Sequence, residues 1–224
     1  MFADAMNPSA PLDRLTVARA WAWGWTISRG TAAPVDHAGV LRIAVGRPDQ
    51  RVRHVMPSLD APTLRRLIEG AEAGTWLKIC ADRAQVAPLL PAHWRLHEPE
   101  FLMGTALGTA SGTDTRPAVA GYRHELDREG ALWRVLVLSE TDEVAASGQA
   151  AVDGAFATFD QIVTAEAHRR RGLGRRVMAA LSGAALSRGA THGVLVATEA
   201  GAALYQTLGW AMVSPVTAAQ CLPR

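Results

Sequence analysis

The sequence is poor in lysine and cysteine and has no long hydrophobic run. Lys78 is the only lysine, so arginine carries the rest of the side-chain positive charge and a high arginine count is by itself uninformative. The two cysteines, Cys80 and Cys221, lie far apart and indicate neither a disulfide framework nor an oxidising compartment. No apolar run reaches the roughly 18 residues of a membrane span, and Met1–Asn7 lacks the basic start and apolar stretch of a secretion signal. We therefore expect a cytoplasmic globular protein that does not contact a membrane.

The charge balance and the histidine spacing disfavour two further classes of protein. The formal net charge is only +2 over 224 residues, so the chain lacks the broad basic surface expected of a nucleic-acid-binding protein. His93 and His97 have the i, i+4 spacing of a metal-binding pair, but no third ligand lies nearby in the sequence, and we expect no metal site. An apolar content of 49% is ample for one large domain or two small ones.

One stretch combines arginines with glycines at the junction of a predicted strand and a predicted helix. Ala155–Thr164 has the β-branched and aromatic content of a strand, and the apolar residues of 173–185 recur at helical spacing. The basic loop His168–Arg176 lies between them. A helix N-terminus presents unpaired amides and a partial positive charge, and Gly172 and Gly174 let an anion approach the backbone closely. The pattern predicts a phosphate or pyrophosphate site; a solvated basic helix start is the alternative.

Two common nucleotide-binding motifs do not fit this loop. A P-loop requires Lys followed by Ser or Thr after its last glycine, where this chain has Arg175 and Arg176. The third glycine of a dinucleotide-binding fingerprint would fall at Val177, and no acidic residue occurs between Glu166 and Glu199. The loop therefore belongs to another class of phosphate site.

The pattern Arg169-x-x-Gly172-x-Gly174 resembles the Q/R-x-x-G-x-G/A acetyl-CoA loop of the GCN5-related N-acetyltransferases, called GNAT enzymes. Further on, Val194–Thr198 followed by Leu204-Tyr205-x-x-x-Gly209-Trp210 is similar to that family's next strand and its L-Y-x-x-x-G-F/W helix. The glycine loop alone is a weak signal, but two blocks at the family's spacing make a strong one. The resemblance covers roughly residues 131 to 214.

The resemblance implies acetyl-CoA as a co-substrate, an amine acceptor, no metal, and an α/β (α+β) fold whose sheet is mixed and mostly antiparallel with flanking helices. In the family, loop amides and nearby cations bind the pyrophosphate, and backbone groups at a bulge in the preceding strand pair with the pantetheine arm and polarise the thioester carbonyl. Carried over by position, the residues implied in binding acetyl-CoA are Ile162, Val163, Thr164, Arg169, Arg170, Arg171, Gly172, Leu173, Gly174, Arg175 and Thr198.

The resemblance also implies a general acid at Tyr205, because a phenol can donate its proton to a thiolate of comparable basicity. The structural alternative is that Tyr205 is a packing residue. A base must also deprotonate the amine, directly or through water. Asp160 is the first candidate and Glu166 the second, since both flank the presumed reaction strand, although each could instead be an ion-pair partner. His124 and His168 are weaker candidates.

The Gly/Ser/Thr-rich stretch 106–117 is predicted to be a linker. It separates an N-terminal α/β domain, 15–105, from a GNAT-like domain, 118–224, and residues 1–14 are predicted to be a leader. Within the N-terminal domain, the tryptophans of 21–27 alternate with small residues, which predicts a strand. Further strands are predicted at 40–45, 51–56, 76–81 and 101–103, and helices at about 60–73 and 82–90.

Residues 118–164 look like four strands joined by short turns, whereas the GNAT pattern usually begins with one strand and two helices that help to form the acceptor site. The GNAT pattern also usually ends with two long strands, whereas about 14 residues follow Gly209-Trp210 here and a last strand is predicted only at 210–213. We therefore expect the N-terminal half to supply the missing walls, as a degenerate copy of the same unit.

The best interpretation is an acetyl-CoA-dependent N-acetyltransferase, a monomer or homodimer, in which an amine attacks the thioester directly in a ternary complex. A non-catalytic acyl-CoA-binding regulatory module is the alternative. An arginine-rich nucleic-acid binder is the third hypothesis.

Overall fold

The structure is a computed structural model that describes residues 12–108 and 119–223. The helices are α1 Arg14–Arg29, α2 Ala61–Glu69, α3 Arg83–Val86, α4 Leu173–Ser187 and α5 Glu199–Gln206. The strands are β1 Val35–His37, β2 Val40–Arg47, β3 Gln50–Met56, β4 Thr75–Ile79, β5 Trp94–Leu96, β6 Glu100–Ala106, β7 Tyr122–Glu129, β8 Leu132–Ser139, β9 Val144–Asp153, β10 Phe156–Thr164, β11 His192–Thr198 and β12 Ala211–Cys221. Short 3-10 turns lie at Ala87–Leu89 and Glu166–His168. None of the helices in these ranges has the length and apolarity needed to cross a bilayer.

Eleven strands form one continuous sheet in the order β1-β2-β3-β4-β12-β6-β11-β10-β9-β8-β7, and β5 pairs with β12 at the side. Among these pairings, β3–β4 and β10–β11 are parallel and the others are antiparallel. The predicted fold class, a mixed and mostly antiparallel sheet with flanking helices, is confirmed. The four strands predicted between 118 and 164 are also confirmed, as β7 to β10.

The prediction of a strand around the N-terminal tryptophans was wrong, because these residues lie in α1. Asp13 caps the helix by accepting a hydrogen bond from the Thr16 amide, and Gly30 ends it in a left-handed conformation. The buried residues recur with helical spacing and include Val17, Ala18, Trp21, Ala22 and Trp25. Trp21 and Trp25 are four residues apart, which fits the two-residue period of a strand as well as the period of about 3.6 residues of a helix. The alternation of tryptophans with small residues therefore concealed the helical stripe.

Helix α1 packs across one face of the sheet, which we call the α1 face. Its buried residues meet Phe156 of β10, Val194 of β11 and Leu102 of β6 in one apolar cluster. The neighbouring residues Ala157, Phe159 and Leu195 point to the opposite face and pack under α4 and α5, as expected from the alternation of side chains along a strand. Residue 160 on β10 is therefore on the α1 face.

Gly24 brings α1 close enough to β10 for the Thr158 hydroxyl to donate to the Ala20 carbonyl oxygen at 3.2 Å. A Cβ added at position 24 would lie 2.0 Å from Thr158 Oγ1 and 2.3 Å from Thr158 Cβ. We expect Gly24→Ala to lower the free energy of unfolding by about 1–3 kcal/mol, because rotation of the Thr158 side chain cannot move its own Cβ away. Thermal unfolding measures this loss.

Gly183→Ala in α4 is the matched control, since nothing lies within 4 Å of a Cβ added there. It replaces a glycine in a helix interior and should stabilise the protein by about 0.5–1 kcal/mol. A Gly24→Ala variant as stable as the wild type would contradict the close packing of α1 on β10.

The two halves of the chain contain the same arrangement of elements. The antiparallel pair β2–β3 leads through α2 to the parallel strand β4, as β9–β10 leads through α4 to β11. The last strand of each half then pairs with the other half: β6 lies beside β11, and β12 lies beside β4. The halves are thus joined by an exchange of their final strands.

Residues on both sides of the proposed domain boundary share this sheet, because β6 lies between β11 and β12. Most of the proposed linker and of the proposed leader, 109–117 and 1–11, falls outside the described residues. Within 12–14, Asp13 and Arg14 belong to the cap and start of α1.

The last strand is longer than predicted, since β12 runs on through Pro215 to Cys221. The register of β12 against β6 shifts between Met212 and Ser214, and a proline is tolerated beside such an irregularity. The strand thus continues eight residues beyond its predicted end at 213.

Candidate functional site

A slot opens between the parallel strands β10 and β11. They pair from Phe156 with His192 to Thr158 with Val194, and the ladder ends there. Beyond it, the register of β10 against β9 shifts between Asp160 and Val163, with Gln161 at a positive φ of 55°. This is a bulge, which re-aims the strand and separates it from β11. The three residues implied in holding the pantetheine arm, Ile162 to Thr164, follow within and directly after the bulge.

The turn that leads from β10 into α4 is an exposed helix N-terminus. Gly172 precedes the helix with φ 79°, and Arg170 also has a positive φ of 64°. No side chain caps the helix and its first turn contains no acidic residue. Since the first amides of a helix have no intrahelical acceptor, the turn presents free N–H groups and a partial positive charge to an anion.

Arginines surround this helix N-terminus without neutralising partners. In the part of the chain that the structure describes, none of them forms an ion pair with a carboxylate; they are Arg169, Arg170, Arg171, Arg175 and Arg176. Three of them bind neutral oxygens: Arg169 donates to the Thr164 carbonyl at 3.4 Å, Arg171 to the Tyr122 hydroxyl at 2.8 Å and Arg175 to the Thr207 hydroxyl at 3.3 Å. This excess of positive charge matches a ligand with several negative charges.

Two of the predicted loop residues can act only through the backbone. The Leu173 side chain is buried in the core under α4, so its contribution to a ligand is limited to its amide. A Cβ at Gly174 would lie 3.2 Å from Leu204, which shows that glycine lets the start of α4 approach α5 closely. Gly174 thus serves the packing of α4 against α5.

The N-terminal half contains the equivalent turn, but there it is closed. Asp60 caps α2 by accepting a hydrogen bond from the Thr63 amide at 2.9 Å, and this places a carboxylate where an anionic ligand would bind. Strands β3 and β4 remain paired to their ends at Met56 and Ile79, so no slot opens between them. Within residues 12–108 and 119–223, only the C-terminal half offers both an open helix N-terminus and a slot.

Tyr205 lies on α5 in the core cluster beside the slot and is 7% exposed. Its ring packs against Trp210 with centroids 6.0 Å apart. Burial raises the pKa of the phenol to about 12, and the negative charge of Asp160 contributes to the rise. The two side chains lie on opposite faces of the sheet.

Asp160 is fully engaged by hydrogen bonds. Its carboxylate accepts from Arg29 Nε at 2.5 Å and Nη2 at 2.9 Å, from the Ser28 hydroxyl at 2.8 Å and from the Gln161 amide at 2.9 Å. These contacts fasten the end of α1 to the bulge of β10. Sequence reasoning missed Ser28 and Arg29, because only tertiary packing brings them to the reaction strand.

The remaining predicted residues lie apart from Asp160. Glu166 is exposed in the 3-10 turn of the arginine loop. His168 contacts the Tyr122 hydroxyl at 2.9 Å, and His124 contacts Arg176 at 3.4 Å. Thr198 caps α5 through the Gly201 amide at 3.3 Å. Among the described residues, no three His, Cys, Asp or Glu side chains are grouped so that they could hold a metal ion.

Residues 131–211 match the protein family described as Acetyltransferase (GNAT) domain. Over these residues, about a third of its length, the chain is similar to the GNAT family. The matched segment contains the slot, the open N-terminus of α4 and Tyr205, and it begins with β8 and ends at the first residue of β12. The family supports acyl transfer in general.

Solved structures show the same fold over nearly the whole chain. A GCN5-related N-acetyltransferase from Kribbella flavida has 16% identity and a TM-score of 0.63, with 92% of this chain and 95% of that chain covered. A putative GNAT-family acetyltransferase from Novosphingobium aromaticivorans DSM 12444 has 17% identity and a TM-score of 0.57, with 91% and 96% covered. A tandem GNAT protein from the clavulanic acid biosynthesis pathway has 11% identity and a TM-score of 0.56, with 96% and 98% covered. No curated protein matches the sequence.

Proposed function

We propose that this protein is an N-acetyltransferase that transfers an acetyl group from acetyl-CoA to an amine in a ternary complex. The observation that supports it most is the open, uncapped N-terminus of α4 at the mouth of the slot. The arginines around it form no ion pair with a carboxylate of the described residues. In this proposal the amides of residues 170–175, with Arg169 and Arg175, bind the pyrophosphate. The backbone of Ile162, Val163 and Thr164 positions the pantetheine arm, and Thr198 lies at the other edge of the slot.

The reaction needs a proton donor on one side of the thioester and a proton acceptor on the other. The amine nitrogen forms a bond to the acetyl carbon as the carbon–sulfur bond breaks. A main-chain amide after the bulge stabilises the charge that develops on the carbonyl oxygen. Tyr205 donates its proton to the departing sulfur, and the amine loses a proton to a base, for which Asp160 and Glu166 are the candidates.

The hydrogen bonds of Asp160 favour an anchoring role over that of the base, because a proton on its carboxylate would break a bond to Arg29 or Ser28. We expect Asp160→Asn to lower the free energy of unfolding by about 1–3 kcal/mol, since Arg29 loses its charged partner in a half-buried site. Glu166→Gln, at an exposed position, should change stability by less than about 0.5 kcal/mol. Chemical denaturation of both variants measures this difference.

The pH dependence of kcat/KM in the same two variants tests the proton acceptor. If Asp160 is only an anchor, Asp160→Asn retains the acidic limb of the wild-type profile. Loss of that limb in Asp160→Asn, with Glu166→Gln unchanged, would show instead that Asp160 is the base.

Two measurements test the proposed function as a whole. Calorimetry with acetyl-CoA detects binding, and release of the CoA thiol in the presence of a panel of amines detects transfer. Binding with amine-dependent thiol release supports the proposal. Binding without turnover on any amine would favour a regulatory module, and absence of binding would reject both.

A further inference from the structure

Charged side chains from five elements gather on the α1 face beside the slot. They are Arg29 of α1, Arg53 of β3, Lys78 of β4, Glu100 of β6 and Asp160 of β10. Direct contacts link four of them to neighbours in the set, since Arg29 pairs with Asp160 and Lys78 pairs with Glu100. Arg29 and Arg53 also both lie over the ring of Trp25, at 5.7 and 3.8 Å from its centroid. We call this set the charged cluster.

The charged cluster flanks the slot on the side away from Tyr205. Asp160 stands on β10 at the start of the bulge, and Glu100 pairs in register with Thr198, the last residue of β11. Glu100 also lines a cavity of about 450 Å³ between α3 and the strands β6 and β12. If Tyr205 protonates the sulfur from the α5 side, the amine attacks from the α1 side and passes this cluster.

The charges of the cluster do not balance within it. Asp160 pairs with Arg29, and Glu100 pairs with Lys78. Arg53 has no carboxylate within 4 Å among residues 12–108 and 119–223, although it is only 7% exposed. One positive charge is thus left over in a largely buried site.

Arg53 is held in place by neutral groups. Its guanidinium stacks on Trp25 at 3.8 Å from the ring centroid. When the Gln50 amide is oriented to accept, its oxygen lies 2.8 Å from Nε and 2.7 Å from Nη2 of Arg53. Burial lowers the pKa of Arg53 to about 10, which still leaves it charged at neutral pH. Neither contact supplies the negative charge that a buried guanidinium requires.

We propose that Arg53 binds a carboxylate of the acceptor, so that the substrate is a small amine that carries an acid group, as an amino acid does. This inference rests on the proposed function and names the substrate class of the same site. A singly charged carboxylate balances the single unpaired guanidinium, and the planar fork of arginine suits a carboxylate geometrically. Trp25 and Gln50 orient that fork before the substrate arrives.

The test compares acceptors that differ only in the acid group, namely amino acids and their carboxamides. Thiol release from acetyl-CoA gives kcat/KM for each member of a pair at one pH. The amine of a carboxamide is the less basic and is therefore more available as the free base, so amine reactivity alone would favour the carboxamide. We expect the wild-type protein to prefer the carboxylate by about 30-fold or more, as expected for a charge-assisted pair.

Three variants show whether Arg53 is responsible. Arg53→Met keeps the length of the side chain and removes its charge, and it should bring the preference close to one without changing acetyl-CoA affinity. Arg53→Lys keeps the charge but lacks the planar fork, so it should show a reduced preference for the carboxylate. This variant provides the test if Arg53→Met does not fold. Arg51→Met is the matched control, because Arg51 lies on the same strand but is exposed and paired with Glu72.

A binding measurement separates this inference from the proposed function. With CoA present, calorimetry of N-acetylglycine against its carboxamide reports carboxylate binding without turnover. Carboxylate-dependent binding that is lost in Arg53→Met would support the inference even if no amine were acetylated. Equal use and equal binding of acid and carboxamide by the wild type, or a preference that survives in Arg53→Met, would overturn it.

Discussion

Gly172→Asp should weaken acetyl-CoA binding about 100-fold, or by ~2.7 kcal/mol. The change places a carboxylate at the N-cap of α4, as Asp60 does at the N-cap of α2. This negative charge would lie where the pyrophosphate is expected to bind and would repel it. Two unit charges 4 Å apart interact by about 4 kcal/mol at an effective dielectric constant of 20, and exposure of the turn reduces that value. Calorimetry at low ionic strength measures the effect.

Gly172→Asn is the matched control, because asparagine has the same shape as aspartate and no charge. Both residues tolerate the left-handed conformation of position 172 better than other substitutions, and a Cβ there meets nothing within 4 Å. We expect the asparagine variant to bind acetyl-CoA within a few-fold of the wild type. Equal loss in both variants would mean that backbone geometry, and not charge, is responsible.

Tyr205→Phe should lower kcat by about 100- to 1000-fold and leave acetyl-CoA affinity unchanged, as expected for loss of a general acid. Within the described residues its hydroxyl makes no hydrogen bond, so phenylalanine preserves the packing against Trp210. Because the pKa of Tyr205 is raised to about 12, the phenol stays protonated at ordinary pH, and we expect no loss of activity from its ionisation below about pH 11.

Tyr122→Phe removes the only other phenol hydroxyl and serves as the comparison. That hydroxyl binds Arg171 and His168 and belongs to the other side of the arginine loop, so kcat should be unchanged. Single-turnover measurements of both variants separate the chemical step from product release. Normal turnover in Tyr205→Phe would end its assignment as the acid and leave it a packing residue.

The elements around the arginine- and glycine-containing loop could be predicted because they are contiguous in sequence. The strand before the loop, the glycines and the helix after it follow one another within 155–188, so spacing alone places them in order. Glutamine is not a residue type that signals a β-bulge, so the residue at position 161 did not predict one. Only the resemblance to the family pattern indicated a bulge there. Local signals therefore predicted the order of the elements around the loop but not the geometry of the bulge.

The residues on the other side of the slot could not be predicted in the same way. Ser28, Arg29 and Arg53 come from elements far from β10 in sequence, and the tryptophans of α1 satisfied the period of a strand as well as that of a helix. The pairing of β6 with β11 was equally hidden, because strand order depends on which faces the complete chain can bury. The expectation that the N-terminal half supplies walls of the site is consistent with the position of α1.

The exchange of final strands has a consequence for how the protein is made. The Thr217 hydroxyl donates to the carbonyl oxygen of Ala81, 136 positions earlier in the chain. Strand β6 pairs on its two sides with β11 and β12, which both come much later in the sequence. Contacts of such separation form slowly because long loops must close first. On the ribosome, the first half would emerge with the edges of β4 and β6 unpaired, and neither edge could pair until β11 and β12 had been synthesised.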